Sequence, residues 1–156
     1  MRRQALIVGG GIGGLCAAIS LSLTGWDVQV FEQAPEITEI GAGLQISPNG
    51  VKILEHIGVM ERLQSAVFEP EAIEIRMGVS GRPILYLPMK GVAAQRWGAR
   101  YLQVHRADLI TALSARLDAL QPGAMQTGCP VRGYAPCKDG AEVILANGRR
   151  IQADLV

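Results

Sequence analysis

The chain has 156 residues, 49% hydrophobic and 19% charged, a balance that fits one folded domain and excludes a disordered or fibrous chain. Lys and Arg total 15 against 14 Asp and Glu, so the formal net charge of +1 supplies no field to hold nucleic acid or an anionic membrane, and neither is expected as a partner. Three scattered cysteines (Cys16, Cys129, Cys137) and two histidines (His56, His105) indicate neither a disulfide framework nor a zinc site, so the default setting is a reducing, cytoplasmic one.

At the N-terminus, Arg2 and Arg3 precede an uncharged stretch, residues 4–26, that superficially matches a signal peptide or a membrane span. Gly9, Gly10, Gly11, Gly13 and Gly14 interrupt it, and so many glycines would cost a spanning helix its backbone order. Residues 5–8 instead form a short apolar run without alternation, as expected for a strand buried on both faces of a parallel sheet. Leu15, Ala18, Ile19 and Leu23 then recur at helical spacing, and Gly25 falls where a helix would end. Residues 27–31 alternate again and close on Glu32, which completes a strand, helix and strand of the size of one βαβ unit.

Residues 33–50 are rich in glycine, proline and polar side chains and read as a long functional loop, with Ser47 or Asn49 able to cap a helix at its end. Val51, Ile53, Leu54 and Ile57 predict a short amphipathic helix stopped by Gly58, with a further turn or two at residues 60–63. Residues 71–77 and 83–87 alternate around Ser80 and Gly81, the pattern of an antiparallel ribbon. A strand at residues 101–104 precedes a helix over 106–120, whose face is Leu109, Ile110, Leu113 and Leu117 and whose first turn carries Asp108. Residues 131–135, 142–146 and 150–156 predict three more strands, the last two joined by Asn147 and Gly148 as a two-residue hairpin. The final apolar residues lack a cap or polar tail, so the chain reads as a fragment of a longer polypeptide.

Gly9, Gly11 and Gly14 form GxGxxG, in which the three glycines serve a tight turn, backbone approach to a pyrophosphate, and close helix–strand packing. The helix N-terminus behind them offers free N–H groups to an anion. Glu32 lies 18 residues after Gly14 at the end of the second strand, where a carboxylate can accept hydrogen bonds from ribose hydroxyls and would repel a 2′-phosphate. A simple NAD domain would continue into a second parallel half, whereas this chain enters the glycine-rich segment at residues 40–45 and then antiparallel strands, which favours FAD. Arg106 opposes the dipole of the helix it opens unless an anion lies nearby; spacing alone leaves open a solvated side chain paired with Asp108. Trp26, Trp97 and Tyr101 read as packing or surface residues.

Three blocks in order, "LIVGGGIGGLCAAISLSLTGWDVQVFEQAPE", "EIGAGLQISPNGVKILEHIGV" and "VHRADLITALSARL", make nearly the whole chain resemble the FAD-dependent aromatic-ring hydroxylases, the flavoprotein monooxygenases that include salicylate and hydroxynicotinate hydroxylases. The resemblance implies an α/β fold: a Rossmann-like FAD-binding domain over residues 1–156, with a parallel sheet, an antiparallel β-meander and an inserted β-ribbon. It implies that Gly9, Gly11 and Gly14 bind the pyrophosphate of FAD, Glu32 its adenosine ribose, Arg106 the ribityl or pyrophosphate portion, and Val131 the adenine through its backbone. Gly13 and Gln33 belong to the same cofactor-binding set, and Gly43, with Gln45, would approach the isoalloxazine. It further implies a monooxygenase in which NAD(P)H reduces the flavin and one atom of O2 is transferred to a small aromatic acid, with a homodimer left open.

The resemblance is incomplete. The Asp-Gly motif expected just after "ADLV", the later Gly-Asp motif and the substrate-covering sheet are all missing, and Asp154 is not the Asp of that Asp-Gly pair. No catalytic residue is assigned, and the fragment alone is expected to be inactive. Two alternatives stay open: another FAD oxidoreductase, such as an amine oxidase or a geranylgeranyl-type reductase, or a non-catalytic nucleotide-binding module if the chain ends at Val156.

Overall fold

A computed structural model describes residues 3–36 and 42–156. The N-terminal segment gives β1 (Gln4–Val8), α1 (Ile12–Leu23) and β2 (Asp27–Phe31). Next come β3 (Gly43–Ile46), α2 (Pro48–His56), α3 (Met60–Leu63), β4 (Val67–Phe68), β5 (Ala72–Arg76), β6 (Pro83–Pro88), α4 (Val92–Trp97) and β7 (Leu102–His105). The chain ends with α5 (Arg106–Leu120), β8 (Met125–Gln126), β9 (Val131–Cys137), β10 (Gly140–Leu145) and β11 (Arg150–Ala153). These elements form two compact units, one from residues 1–40 and 109–156 and the other from residues 41–108, with the boundary in the first turn of α5.

The first unit holds the βαβ motif. β1 and β2 pair in parallel from Gln4↔Asp27 to Val8↔Phe31, and the short β8 extends the sheet in parallel beyond β2. Ala5, Val28 and Val30 are buried, as are Leu15, Ala18 and Ile19 of α1, which packs against β1 and β2. On the opposite face Leu6 and Phe31 cluster with Val143, Leu145 and Ala153 of the antiparallel meander β9–β10–β11. A strand covered on both sides has no polar face to show, hence its unbroken apolar run. The Gln121 side chain closes the bottom of this unit: its Oε1 accepts from the Val28 N–H at 2.9 Å and its Nε2 donates to the Trp26 carbonyl at 2.6 Å.

In the second unit β3, β7 and β4 form an antiparallel sheet and β5 and β6 a separate ribbon. Val51, Leu54, Ile57, Leu63, Leu102 and Val104 are buried in it, each such burial contributing about 1.5–3 kcal/mol. The ribbon, with Gly81 in the left-handed region at its turn, matches the sequence expectation. Four elements were illegible. β3 lies within the segment read as a loop, because four residues beginning at a glycine give too little alternation; its pairing with β7 makes it a strand. α4 is six residues long and is bounded by Gly91 and Gly98, both at positive φ. β4 and β8 have two residues each, held as strands by their pairing with β7 and β2.

Two boundaries also differ from expectation. The hairpin before β11 is a three-residue loop, residues 146–148: the Leu145 N–H donates to the Arg149 carbonyl, and only Gly148 takes a positive φ, because Asn147 stays outside the left-handed region. β11 stops at Ala153, after which the Leu6 N–H donates to the Leu155 carbonyl at 2.9 Å and Ala5 bridges Leu155 in parallel. The last residues therefore line the free edge of β1. Among the described residues no helix is long and apolar enough to cross a membrane.

Candidate functional site

The turn from β1 into α1 is shaped by its glycines one at a time. Gly9 sits at φ +103°, a conformation that L side chains rarely adopt, and its N–H donates to the Phe31 carbonyl at 2.8 Å, which ties the turn to the end of β2. A Cβ on Gly14 would lie 1.9 Å from the Gly9 carbonyl oxygen, so the helix can approach the turn this closely only without a side chain there. A Cβ on Gly11 or Gly13 would meet nothing within 4 Å. Backbone conformation thus explains Gly9 and packing explains Gly14, whereas no protein atom accounts for Gly11 or Gly13. Gly11 is also the N-cap of α1, no side chain caps it and no acidic residue occupies the first turn, so the turn has a positive partial charge for an anion to meet.

Glu32 stands directly beside this turn. Its Oε2 accepts from the Gly10 N–H at 2.6 Å and its Oε1 from the Ala34 N–H at 2.9 Å, so one half-buried carboxylate joins the turn after β1 to the turn after β2. These bonds, from Ala34 first and then from Gly10 and Gln33, hold its pKa below the ordinary carboxylate value against the opposing effect of burial. Glu32 is therefore an anion at neutral pH. The carboxylate keeps acceptor capacity beyond what the main chain uses, which ribose hydroxyls can engage. The part played by the Gly10 and Ala34 N–H groups was not legible, because main-chain donors leave no mark on sequence beyond the extra glycine of the GGG run.

Gln33 is exposed next to Glu32. The Cys129 N–H donates to the Glu32 carbonyl at 2.9 Å and the Gly128 N–H to the Ala34 carbonyl at 2.8 Å, so the segment leading to Val131 runs alongside this corner. Val131 opens β9 with its side chain packed on the Leu6–Phe31 cluster. The first unit thus gathers the glycine turn, Glu32, Gln33 and the approach to Val131 near the C-terminal ends of its parallel strands, where open α/β sheets place their ligands.

The other two predicted residues lie in the second unit. Gly43 opens β3 opposite His105 of β7, and Arg106 follows His105 as the first residue of α5, so the pairing brings Gly43 and the "HR" segment to one end of a sheet. Gly43 and Gln45 are exposed, Arg106 is half-buried, and a Cβ at Gly43 would meet nothing within 4 Å. Residues 40 and 41 of the glycine-rich segment lie outside the described residues.

Known proteins resemble the chain over nearly its whole length. The chain is 35% identical over 150 residues to the 3-amino-4-hydroxybenzoate 2-monooxygenase of Streptomyces cremeus, covering 96% of this chain and 37% of that protein. It is 33% identical over 153 residues to the 6-hydroxynicotinate 3-monooxygenase of Pseudomonas fluorescens, with 96% and 38% covered. Among solved structures, 2-methyl-3-hydroxypyridine-5-carboxylic acid oxygenase superposes with a TM-score of 0.84 at 28% identity, over 99% of this chain and 38% of that one. HpxO of Klebsiella pneumoniae, complexed with FAD and uric acid, superposes with a TM-score of 0.80 at 30% identity, over 98% and 38%. The chain spans well under half the length of these relatives. The model of the FAD binding domain matches residues 2–136, and the chain belongs to that family.

Proposed function

We propose that this chain is the FAD-binding domain of a flavin-dependent monooxygenase that hydroxylates a small aromatic acid with NAD(P)H and O2. The observation that carries this reading is the contrast within the glycine turn: Gly14 is explained by packing, whereas Gly11 faces space that no protein atom fills. A pyrophosphate against the N-terminal turn of α1 accounts for that space and for the uncapped N–H groups together.

In this reading the main chain at Gly9, Gly11, Gly13 and Gly14 holds the pyrophosphate, and the ionised Glu32 accepts the hydroxyls of the adenosine ribose, flanked by Gln33. The backbone at Val131 holds the adenine, Arg106 meets the ribityl or pyrophosphate portion, and the bare backbone at Gly43 lets the flavin ring approach β3. Bound FAD would supply the redox chemistry, passing the electrons of NAD(P)H to O2 so that one oxygen atom enters the ring and the other leaves as water, while these residues would bind and orient it. The relatives support the substrate class, since their names specify hydroxybenzoates and a hydroxynicotinate. The remainder of the relatives' length would supply the substrate domain and the rest of the flavin site. A homodimer or a multiple of it belongs to the same reading, supported by the tetrameric form of 2-methyl-3-hydroxypyridine-5-carboxylic acid oxygenase. A cytoplasmic setting is part of it too, in keeping with three free cysteines.

The test is an equilibrium titration of FAD, followed by flavin fluorescence, into the wild-type chain and Gly11→Ala. Saturable binding that the substitution weakens by about tenfold or more is expected from lost approach of the backbone to the pyrophosphate. Equal affinities would overturn the reading.

A further inference from the structure

The second unit contains a cleft of about 490 Å³ that shares no residue with the cofactor set proposed above. It is lined by Ser47, Pro48, Asn49, Lys52, Met89, Trp97 and Tyr101, a volume within the range of small-molecule sites. Its floor is firm: Met89 and Tyr101 are buried and pack with Ala93 and Ile73 in one apolar cluster. Its wall is aromatic and open, for Trp97 remains 43% exposed, a large indole left in water where a soluble protein would ordinarily cover it.

The cleft is also charged with one sign. The Lys52 ammonium is held against the end of α4, its Nζ 3.2 Å from where a Cβ of Gly98 would be, and Gly98 turns in the left-handed region at φ +74°. A side chain at Gly98 would therefore displace the ammonium. The Arg96 guanidinium stacks over Trp97 at 5.3 Å from the ring centroid and adds a second positive charge beside the indole. No carboxylate is among the residues that line the cleft. The Ser47 hydroxyl donates to Asn49 Oδ1, and the Lys52 ammonium is the charged group among the lining residues that can fix an incoming anion.

Lys52, the one cation among the residues that line the cleft, sits with an exposed indole over an apolar floor, an arrangement that suits a planar ring carrying a single negative group. We propose that this cleft, separate from the cofactor set, is a binding site for a small aromatic carboxylate, whose ring lies against Trp97 and whose carboxylate meets Lys52. An inorganic anion would leave the apolar floor and the indole unused, and a neutral ring would leave the ammonium unpaired. The proposal borrows from the function proposed above only its choice of aromatic acid as probe.

The test uses the full chain without FAD and without turnover, so that failure of the cofactor reading leaves its result intact. The chain has two tryptophans, Trp26 and Trp97, and hence two indole N–H signals in an ¹H–¹⁵N spectrum, assigned with Trp26→Phe. Titration with 3-hydroxybenzoate is expected to move the Trp97 signal along a saturable curve and leave Trp26 in place. Lys52→Met should weaken binding at least tenfold with the rest of the spectrum unchanged, and Lys52→Arg should restore it to within a few-fold. A static Trp97 signal, an equal response to inorganic phosphate or to neutral 3-hydroxybenzamide, or unaltered affinity in Lys52→Met would each overturn the proposal.

Discussion

A methyl group on Gly14 would collide with the Gly9 carbonyl oxygen, whereas one on Gly11 would touch nothing, although both glycines belong to one motif. Gly14→Ala is accordingly expected to destabilise the first unit by at least about 3 kcal/mol, the penalty of overpacking against backbone that cannot yield. Gly11→Ala, at an extended φ of −74°, should change stability by no more than about 0.5 kcal/mol, as measured by urea unfolding, while FAD affinity falls. If both substitutions unfold the chain alike, Gly11 is structural and its assignment to the cofactor is lost. Glu32 allows a second test. Its pKa is lowered in the folded chain, so protonation favours unfolding; its contribution is complete above the ordinary value of 4.5 and disappears as pH falls through the lower folded value. Glu32→Gln should therefore flatten the acid side of the stability–pH curve, and an unchanged acid limb would mean that Gly10 and Ala34 are held by something else. At this scale the motif was legible because GxGxxG and a following carboxylate are identities fixed by contact with backbone. The motif assigned the tight turn to the first glycine, approach to a pyrophosphate to the second and packing to the third; what the sequence did not show is that the packing contact is made with the Gly9 carbonyl oxygen.

The elements that were legible are those with a full repeat of their own period. α5 shows four apolar residues at helical spacing, all buried, and β5 and β6 show alternation on either side of a turn. β3 and β8 have four and two residues, and their identity as strands lies in their partners β7 and β2. Gln121 shows the same limit in a side chain: it follows α5 as an ordinary polar residue, yet it grips both ends of the turn into β2 across more than ninety residues of sequence. Gln121→Leu leaves the Val28 N–H and the Trp26 carbonyl without these partners in a part-buried place, so a loss of about 1–3 kcal/mol is expected. Hydrogen exchange at Val28 should quicken in the variant. Unaltered exchange there would show that solvent replaces the amide at no cost.

At the scale of the whole molecule even a legible strand did not reveal its surroundings. Ile84 and Tyr86 are 60% and 61% exposed, and Leu85 and Leu87 on the other face of β6 are 40% and 39% exposed, so alternation announced a strand without a buried side to match. The terminal residues 150–156 were likewise read as one continuous strand, whereas Asp154 leaves β11 to serve β1 instead. Its Oδ2 accepts from the Gln4 N–H at 2.7 Å, its own N–H and that of Leu155 donate to the Gln4 carbonyl, and the Leu155 carbonyl accepts from Leu6. Four hydrogen bonds thus close the first unit across some 150 residues of chain, along an edge that otherwise presents bare donors and acceptors. At a net worth of about 1 kcal/mol each, less what fraying at a terminus returns to water, a chain shortened to end at Ala153 should be less stable by about 2–4 kcal/mol. Asp154→Ala removes only the bond to the Gln4 N–H and should cost about 1 kcal/mol. Exchange at the Leu6 amide separates the contributions, because that proton is donated to Leu155 and not to Asp154: it should lose protection in the shortened chain and keep most of it in Asp154→Ala. If Leu6 stays protected in both, the edge of β1 is held by the sheet alone and the terminal residues contribute nothing to the unit that carries the glycine turn.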